Sequence, residues 1–114
     1  MGVSIMNVQP ELHQELMQPP LFSLGNCHLT PGISKLLQQH SLPIYDYLCR
    51  HQCGDYGIIS PEDAAKNQRA VQQGTQVLSV FLFNAKNATD KDITLWVTTD
   101  IEFCLTTVSL PEEF

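Results

Sequence analysis

The densest group of side chains that could do chemistry lies at residues 50–57, which read Arg-His-Gln-Cys-Gly-Asp-Tyr-Gly. A helix ending before the glycines would place His51 in its last turn, where the helix C-terminus stabilises an imidazolium. With Asp55 orienting the ring, His51 is a candidate general acid or base, and Arg50 a candidate phosphate contact. The same residues are typical of a helix C-cap, in which His51 meets the last carbonyls and Asp55 caps its own turn. The spacing favours this structural interpretation.

A second group is rich in hydroxyls and lies on two predicted strands. Its members are Thr94, Thr98, Thr99, Thr106, Thr107 and Ser109. Strand alternation places Trp96 on one face together with Thr94 and Thr98. A Trp among hydroxyls can stack on a base or a sugar ring, or it can pack against a helix. We favour a solvated sheet face with Trp96 as a packing anchor.

The four cysteines raise the question of a metal site. Cys49 and Cys53, together with the neighbouring pair Cys27-His28, could supply zinc ligands, but the second pair lacks the spacing usual in zinc sites. Apolar neighbours favour Cys27 and Cys104 as small hydrophobic residues. We therefore predict no metal and no cofactor.

Familiar catalytic patterns are missing from the sequence. It contains no glycine-rich phosphate loop, no Gly-x-Ser-x-Gly elbow and no His-Glu-x-x-His pair. No two acidic residues are spaced convincingly for two-carboxylate chemistry. The sequence therefore leaves open whether the chain is an enzyme.

Helices are predicted in the first half of the chain. Thr30 and Ser60 each precede a proline, a combination typical of a helix start. Apolar spacing then predicts helices over residues 31–40, 44–52 and 61–73, the last ending at Gly74. Gly54 and Gly57 flank a predicted reversal of the chain, which requires a positive φ at one of them.

Strands are predicted in the second half. Residues 76–83 are apolar on both faces, as in a central strand, and residues 93–99 alternate. A third strand at 103–110 completes an antiparallel meander, which residues 21–29 could join. The pattern indicates an α+β fold, with short helices packed on an antiparallel β-meander of three to four strands. The predicted core comprises Val77, Phe81, Phe83, Leu95, Val97 and Leu105.

Length and charge limit the possible functions. A chain of 114 residues has room for one domain, here residues 21–114, preceded by a proline-interrupted flexible N-terminal arm at residues 1–20. The net charge of −6 argues against broad binding of duplex DNA. No apolar run approaches the roughly 18–20 residues of a membrane span, and the first twenty residues carry no Lys or Arg. We expect a cytoplasmic protein with no membrane partner, and the oligomeric state stays open.

Several of these blocks together resemble a family of small proteins encoded on bacterial plasmids, prophages and integrated elements. The resemblance covers about residues 21–114. Its first part is carried by Arg50-His51, Gly54-Asp55-Tyr56-Gly57, Asp63, Asn67, Gly74 and Ser79. Its two ends match as well, through Thr30-Pro31-Gly32 and through a Trp-bearing strand followed by Thr106-Thr107 and Leu110-Pro111-Glu112-Glu113-Phe114. The family tends to have an Arg in the turn before its last strand, whereas residues 100–103 contain none.

The resemblance implies an intracellular accessory protein of a mobile genetic element, and two functions from different classes follow. In the first, the chain binds a host or element-encoded protein, in regulation or counter-defence, through Arg50, Asp55, Tyr56 and Trp96. The acidic charge and the missing catalytic patterns favour this hypothesis.

The alternative is a metal-independent ribonuclease or toxin of the barnase, EndoU, colicin and RelE kind, by analogy of fold. His51 would deprotonate a ribose hydroxyl, and Thr106 or Thr107 would contact the phosphate of the RNA. The helix that ends at Gln52 must pack on the sheet, with its last turn over the edge or face of the sheet. We therefore expect His51, Asp55, Trp96 and Thr106 beside one shallow groove.

Overall fold

The structure is a computed structural model, and it describes residues 19–84 and 92–114. In chain order the elements are β1 (Asn26–Leu29), α1 (Pro31–Gln39), α2 (Ile44–Gln52), α3 (Pro61–Gln73), β2 (Gln76–Asn84), β3 (Asp92–Asp100), β4 (Leu105–Ser109) and a 3-10 helix (Pro111–Glu113). Apart from Pro19 and Pro20, the predicted N-terminal arm lies outside the described residues. Across the two described ranges, none of the helices combines the length and the apolar character needed to cross a bilayer.

The four strands form one mixed sheet in the order β1-β4-β3-β2. Strands β2, β3 and β4 make the predicted antiparallel meander, with Val97 opposite Ser79 and Val108. Strand β1 departs from the prediction because it pairs in parallel with β4, placing Cys27 beside Thr106. The α+β fold is confirmed.

The core lies on one face of the sheet, beneath α1 and α2. Its buried members are Ile33, Leu42, Tyr47, Leu48, Phe81, Leu95, Val97 and Val108. Val77 is also buried, and Phe83 packs partly buried against the cluster. Leu105 was expected here, but it remains 36% exposed. Strand β4 begins at Leu105 rather than at 103, after Cys104 at a φ of 54°. Leu105 is next to the buried Thr106 on this strand, so it projects from the opposite face.

Strand β2 is an edge strand, so its prediction as a central strand was wrong. Its outward backbone groups are nevertheless paired. The Asn67 side chain donates to the Leu78 carbonyl over 2.7 Å and accepts from the Leu78 N–H over 3.0 Å. Further along, Val80 donates to the Tyr56 carbonyl, and its own carbonyl accepts from the Ile58 N–H. These contacts shield an edge that would otherwise invite pairing with another chain.

The two ends of the described domain meet at the start of α1. The Glu113 carboxylate accepts hydrogen bonds from the Thr30 hydroxyl over 2.5 Å, the Gly32 N–H over 2.9 Å and the Leu110 N–H over 3.2 Å. A negative charge at a helix N-terminus satisfies free N–H groups and complements the helix dipole. Glu113 therefore caps a helix that begins about eighty residues earlier in the chain.

Candidate functional site

His51 lies in the interior, between α2 and the sheet, with none of its surface exposed. Its Nδ1 is 2.6 Å from the Ser79 hydroxyl on β2, and its Nε2 is 2.9 Å from the Thr99 hydroxyl on β3. Phe22 closes the site from one side, with its ring edge-on to the imidazole at a centroid distance of 5.2 Å. Both ring nitrogens therefore have partners within the protein.

The hydrogen bonds beyond Thr99 determine whether His51 Nε2 donates to Thr99 or accepts from it. The Thr106 hydroxyl lies 2.6 Å from the Leu24 carbonyl, which can only accept, so this hydroxyl donates its one proton there. The Thr99 hydroxyl, 2.7 Å away, must then donate to Thr106 and accept from His51. This makes Nε2 a protonated nitrogen, and Nδ1 accepts from the Ser79 hydroxyl when the ring is neutral.

Burial lowers the pKa of His51 to about 4, because the interior disfavours the charged form. Protonation of Nδ1 would also require the Ser79 hydroxyl to turn from donor to acceptor. At neutral pH the ring is therefore an uncharged link between a helix and two strands, and it has no solvent-facing nitrogen.

The structure does not bring the predicted site residues into one groove. Thr106 is linked to His51 through Thr99, but both are fully buried. Thr107 and Trp96 lie on the opposite face of the sheet, because each is an odd number of residues from its buried neighbour on the strand. The expectation of a shared groove was therefore wrong.

Arg50 and Asp55 form a partly exposed pair beside the buried histidine. The Arg50 Nε donates to the Asp55 carboxylate over 2.7 Å, and this bond is the main reason that the pKa of Asp55 is lowered. The guanidinium carbon also lies 4.7 Å from the centroid of the Phe81 ring. Asp55 in turn accepts from the Gly57 N–H. The pair thus stabilises the turn after α2.

That turn places Tyr56 and Gly57 beside the edge of β2. Gly57 has a φ of 76°, and a Cβ placed on it would lie 2.0 Å from the Val80 carbonyl oxygen. Gly54, with a φ of 95°, reverses the chain a few residues earlier. The predicted positive φ is confirmed at both glycines, and Tyr56 joins the edge through its own backbone carbonyl.

The surface with the least evident structural role is the sheet face around Trp96. There the Trp96 and Phe114 rings lie 4.7 Å apart, and Phe114 is 63% exposed. Val80 pairs with Trp96 across β2 and β3. Leu82, the next residue of β2 on the same face, pairs with Thr94 and is 44% exposed. We call these residues the Trp96 patch: Val80, Leu82, Thr94, Trp96 and Phe114.

An open depression of about 390 Å³ adjoins the patch. Thr94 belongs to both surfaces, and the depression is otherwise lined by Leu36, Ile93, Leu110, Pro111 and Glu112. The aromatic pair and this mostly apolar depression together offer a place for an apolar side chain of another molecule. Glu112 supplies a negative charge at the rim.

The described Lys and Arg residues are distributed unevenly between the sheet and the helices. Strands β1–β4 and the 3-10 helix contain Asp92, Asp100, Glu112 and Glu113 but no Lys or Arg. The described cations lie on the helices instead, at Lys35, Arg50, Lys66 and Arg69. Among the described residues, the strands and the 3-10 helix therefore have acidic residues near their ends and none in the middle of the sheet.

No cluster of three or more His, Cys, Asp or Glu suited to a metal occurs within residues 19–84 and 92–114. Cys27 and Cys104 were expected to be buried with apolar neighbours, but both are exposed. Cys104 lies in the turn before β4, at a positive φ, which removes it from the core-facing pattern.

The buried partners of His51 were not identified from the sequence. Ser79 and Thr99 lie on different strands, and single hydroxyls in strands are common, so only the register of β2 and β3 brings them to the ring. Asn67 and Glu113 were singled out in the sequence only as parts of the blocks on which the resemblance rests, with no structural role predicted for either.

The comparisons with known proteins identify no relative. No family model, no curated protein and no solved structure matches this chain.

Proposed function

We propose that this chain is a non-catalytic accessory protein of a bacterial mobile genetic element, and that it acts by binding a host or element-encoded protein. The Trp96 patch is the binding surface in this proposal. The observation that carries it is the pair of rings, Trp96 and Phe114, on a sheet face beside exposed Leu82. Aromatic side chains at the centre of an apolar patch are typical anchors of protein interfaces.

The internal roles of the other candidate residues support the choice of this surface. His51 is enclosed between α2 and the strands, Arg50 and Asp55 stabilise a turn, and Tyr56 shields the edge of β2. These contacts account for the residue types in the 50–57 block without a ligand. The aromatic pair on the sheet, by contrast, has one ring mostly exposed to solvent.

The charges of the sheet side indicate the kind of partner. The acidic residues described at the ends of the strands and in the 3-10 helix would complement a partner surface that has an apolar anchor with Lys or Arg around it. Complementary charge of this kind speeds association and excludes partners that are themselves acidic. We therefore propose a partner with a basic rim.

The assignment to a mobile element rests on the resemblance in sequence. That resemblance includes Thr30-Pro31-Gly32 and Leu110-Pro111-Glu112-Glu113-Phe114, which the structure brings together at the start of α1. In this proposal the resemblance extends over about residues 21–114.

The ribonuclease alternative loses its geometric support. A general base must come within hydrogen-bond reach of the proton it removes, and both nitrogens of His51 are already bonded inside the protein. Thr107 lies on the other face of the sheet. The net charge of −6 would also repel a phosphate backbone.

The test is affinity capture from a bacterial lysate with matched variants as baits. Phe114→Ser and Leu82→Lys alter exposed side chains of the Trp96 patch, and Tyr45→Ser removes an aromatic side chain that is 81% exposed on α2. We expect a basic protein that the wild type and Tyr45→Ser retain and that both patch variants lose. Its binding, measured with purified components, should weaken with added salt.

Two outcomes would contradict the proposal. One is a partner retained equally by all four baits, which would place the interface elsewhere. The other is cleavage of RNA by the purified chain that disappears in His51→Ala, which would restore the enzymatic hypothesis. Melting curves of every variant establish that each bait is folded.

A further inference from the structure

The two edges of the sheet differ in how many of their outward backbone groups are hydrogen-bonded by other described residues. On β2 the outward groups of Leu78 and Val80 are paired by Asn67 and by residues 56–58, and the Leu82 carbonyl accepts from the Tyr47 hydroxyl over 3.1 Å. On β1 all four side chains are exposed. Within the described ranges, no other element donates to or accepts from the outer side of this strand.

The register identifies which backbone groups of β1 face outward. Asn26 donates to the Cys104 carbonyl and Thr30 to the Val108 carbonyl, so Asn26, His28 and Thr30 use their backbone groups toward β4. The backbone groups of Cys27 and Leu29 consequently point away from the sheet. Outward groups of this kind are a ready template for another strand.

The usual protections of an open edge are missing along β1, apart from its short length. Residues 26–29 read Asn-Cys-His-Leu, with no charged residue and no proline. The strand therefore carries no charge, although the protein has a net charge of −6. A second acidic molecule can approach this edge without repulsion from a charge on β1. Leu29 also remains 38% exposed at this edge.

We infer that β1 pairs antiparallel with β1 of a second copy of this chain, around a two-fold axis at His28. Cys27 then exchanges both of its free backbone hydrogen bonds with Leu29 of the second copy, and Leu29 does the same with Cys27. The arrangement uses the same groups on both copies, as a two-fold interface requires. It satisfies the outward donors and acceptors of both edges with no further residue.

Side-chain positions agree with this pairing. Cys27 and Leu29 pair with Thr106 and Val108, so they lie on the helix side of the sheet. The exposed Leu29 of each copy would thus contact Cys27 of the other and lose its exposure to water. His28 lies on the opposite side, facing His28 of the second copy across the axis.

The dimer has a consequence for the other side of the sheet. A two-fold axis perpendicular to the sheet keeps both helix layers on one side and both Trp96 patches on the other. The paired molecule therefore presents two patches on one continuous surface. A partner with repeated anchors would bind it more tightly than it binds one copy.

Sedimentation and light scattering of the full-length chain over a range of concentrations, under reducing conditions, test the inference. We expect a reversible dimer whose share rises with concentration, because β1 is only four residues long. Cys27→Pro removes an outward N–H and leaves the bonds to β4 in place, so it should raise the dimer dissociation constant at least about tenfold. Cys27→Ser, which keeps the N–H, should dimerise like the wild type.

A crosslink provides a second, independent measurement should Cys27→Pro fold poorly. With the exposed Cys27 and Cys104 both changed to Ser, His28→Cys places one thiol on each side of the axis, at a non-hydrogen-bonded position where Cβ atoms lie about 4.5–5.5 Å apart. Mild oxidation should then link the two chains. Thr107→Cys in the same background lies one strand further in and should not crosslink.

Three results would overturn the inference. The first is a chain that stays monomeric at the highest soluble concentration, including the case in which residues 1–18 of the same chain occupy the edge. The second is a dimer that Cys27→Pro leaves unchanged. The third is equal crosslinking at His28→Cys and Thr107→Cys.

Discussion

His51 shows how a residue type associated with catalysis can serve the fold instead. Its ring connects α2 to two neighbouring strands, and burial favours the neutral form, in which Nε2 donates to Thr99 and Nδ1 accepts from Ser79. A hydrocarbon side chain of similar volume would leave Ser79 without an acceptor and Thr99 without a donor. Removing one member of a buried polar chain therefore costs more than a single hydrogen bond.

Acid should destabilise the protein through His51 before the carboxylates contribute. The unfolded histidine has a pKa near 6.5, and burial lowers the pKa in the folded chain to about 4, so the unfolded state binds more protons between these values. The stability is fully present above pH 6.5 and is lost as the pH falls through 4. We expect a loss of about 2 kcal/mol between pH 7 and pH 5, measured by urea unfolding.

The matched control for this prediction is His51→Gln, which lacks the titrating ring. Asp55 and Glu113 have lowered pKa values and contribute at more acidic pH, equally in both proteins. The wild type should therefore lose more stability than His51→Gln over the interval from pH 7 to pH 5. Equal losses in the two proteins would show that the ring is not held neutral by burial.

At the scale of elements, the turn after α2 does more than an ordinary helix exit. It reverses the chain at Gly54 and then places the backbone of residues 56–58 along β2. The two glycines make different demands. Gly54 needs mainly its positive φ: a Cβ added there would lie 3.1 Å from the end of the Leu21 side chain, which can shift. Gly57 also needs the space next to the Val80 carbonyl, which is backbone.

Alanine at these two positions should separate backbone strain from steric exclusion. Gly54→Ala should cost about 1 kcal/mol of unfolding free energy for its φ alone. Gly57→Ala should cost about 3 kcal/mol or more, because the Cβ would displace the Val80 carbonyl from its bond with Ile58. Chemical denaturation of both variants measures the difference, and similar costs would argue against the close approach.

The sequence predicted these elements well where local chemistry determines them. Helix starts at proline, the stop at Gly74 and the alternation around Leu95 were all predicted correctly. The prediction failed where the surroundings of a strand depend on residues from other parts of the chain. Strand β2 is apolar on both faces like a central strand, yet its outer neighbours are Asn67 and a loop, and no pattern within 76–83 reveals that.

The candidate site was predictable to a similar extent. Placement of Trp96 with Thr94 and Thr98 on one face follows from alternation and is confirmed. The depth of His51 was not predictable, because the same helix-end pattern suits an exposed or a buried ring. Its burial depends on Phe22, which folds over it from outside any helix or strand.

For the whole molecule, the contact of Glu113 with the start of α1 joins the last described residues to the first helix, beside the pairing of β1 with β4. Hydrogen bonding from the Thr30 hydroxyl, with that from Gly32 and Leu110, lowers the pKa of the Glu113 carboxyl. A Cβ on Gly32 would come within 3 Å of the Glu113 carboxylate, so the glycine leaves room for the approach. The contact fixes α1 and the 3-10 helix relative to each other.

Glu113→Gln should lower the melting temperature at neutral pH, because the amide lacks the charge and directs a donor toward groups that are already donors. Its neighbour makes a matched control: Glu112→Gln removes the same charge one residue away, outside this cap. The effect of Glu113 should be present above the usual glutamate pKa and vanish as the pH falls through the lowered value. A larger fall in Glu112→Gln, by calorimetry, would contradict the cap.

The strand order also determines when the sheet can form during synthesis. Strand β4 is the last to leave the ribosome, yet it lies between β1, the first described strand, and β3. Until Leu105–Ser109 emerges, β1 has no neighbour and the Thr106 hydroxyl is not yet there to accept from Thr99. Long-range pairing of this kind slows folding and postpones formation of the four-stranded sheet until residues 105–109 have been translated. A nascent chain that stalls before residue 105 would therefore display α1, α2 and a two-stranded hairpin as a substrate for chaperones and proteases.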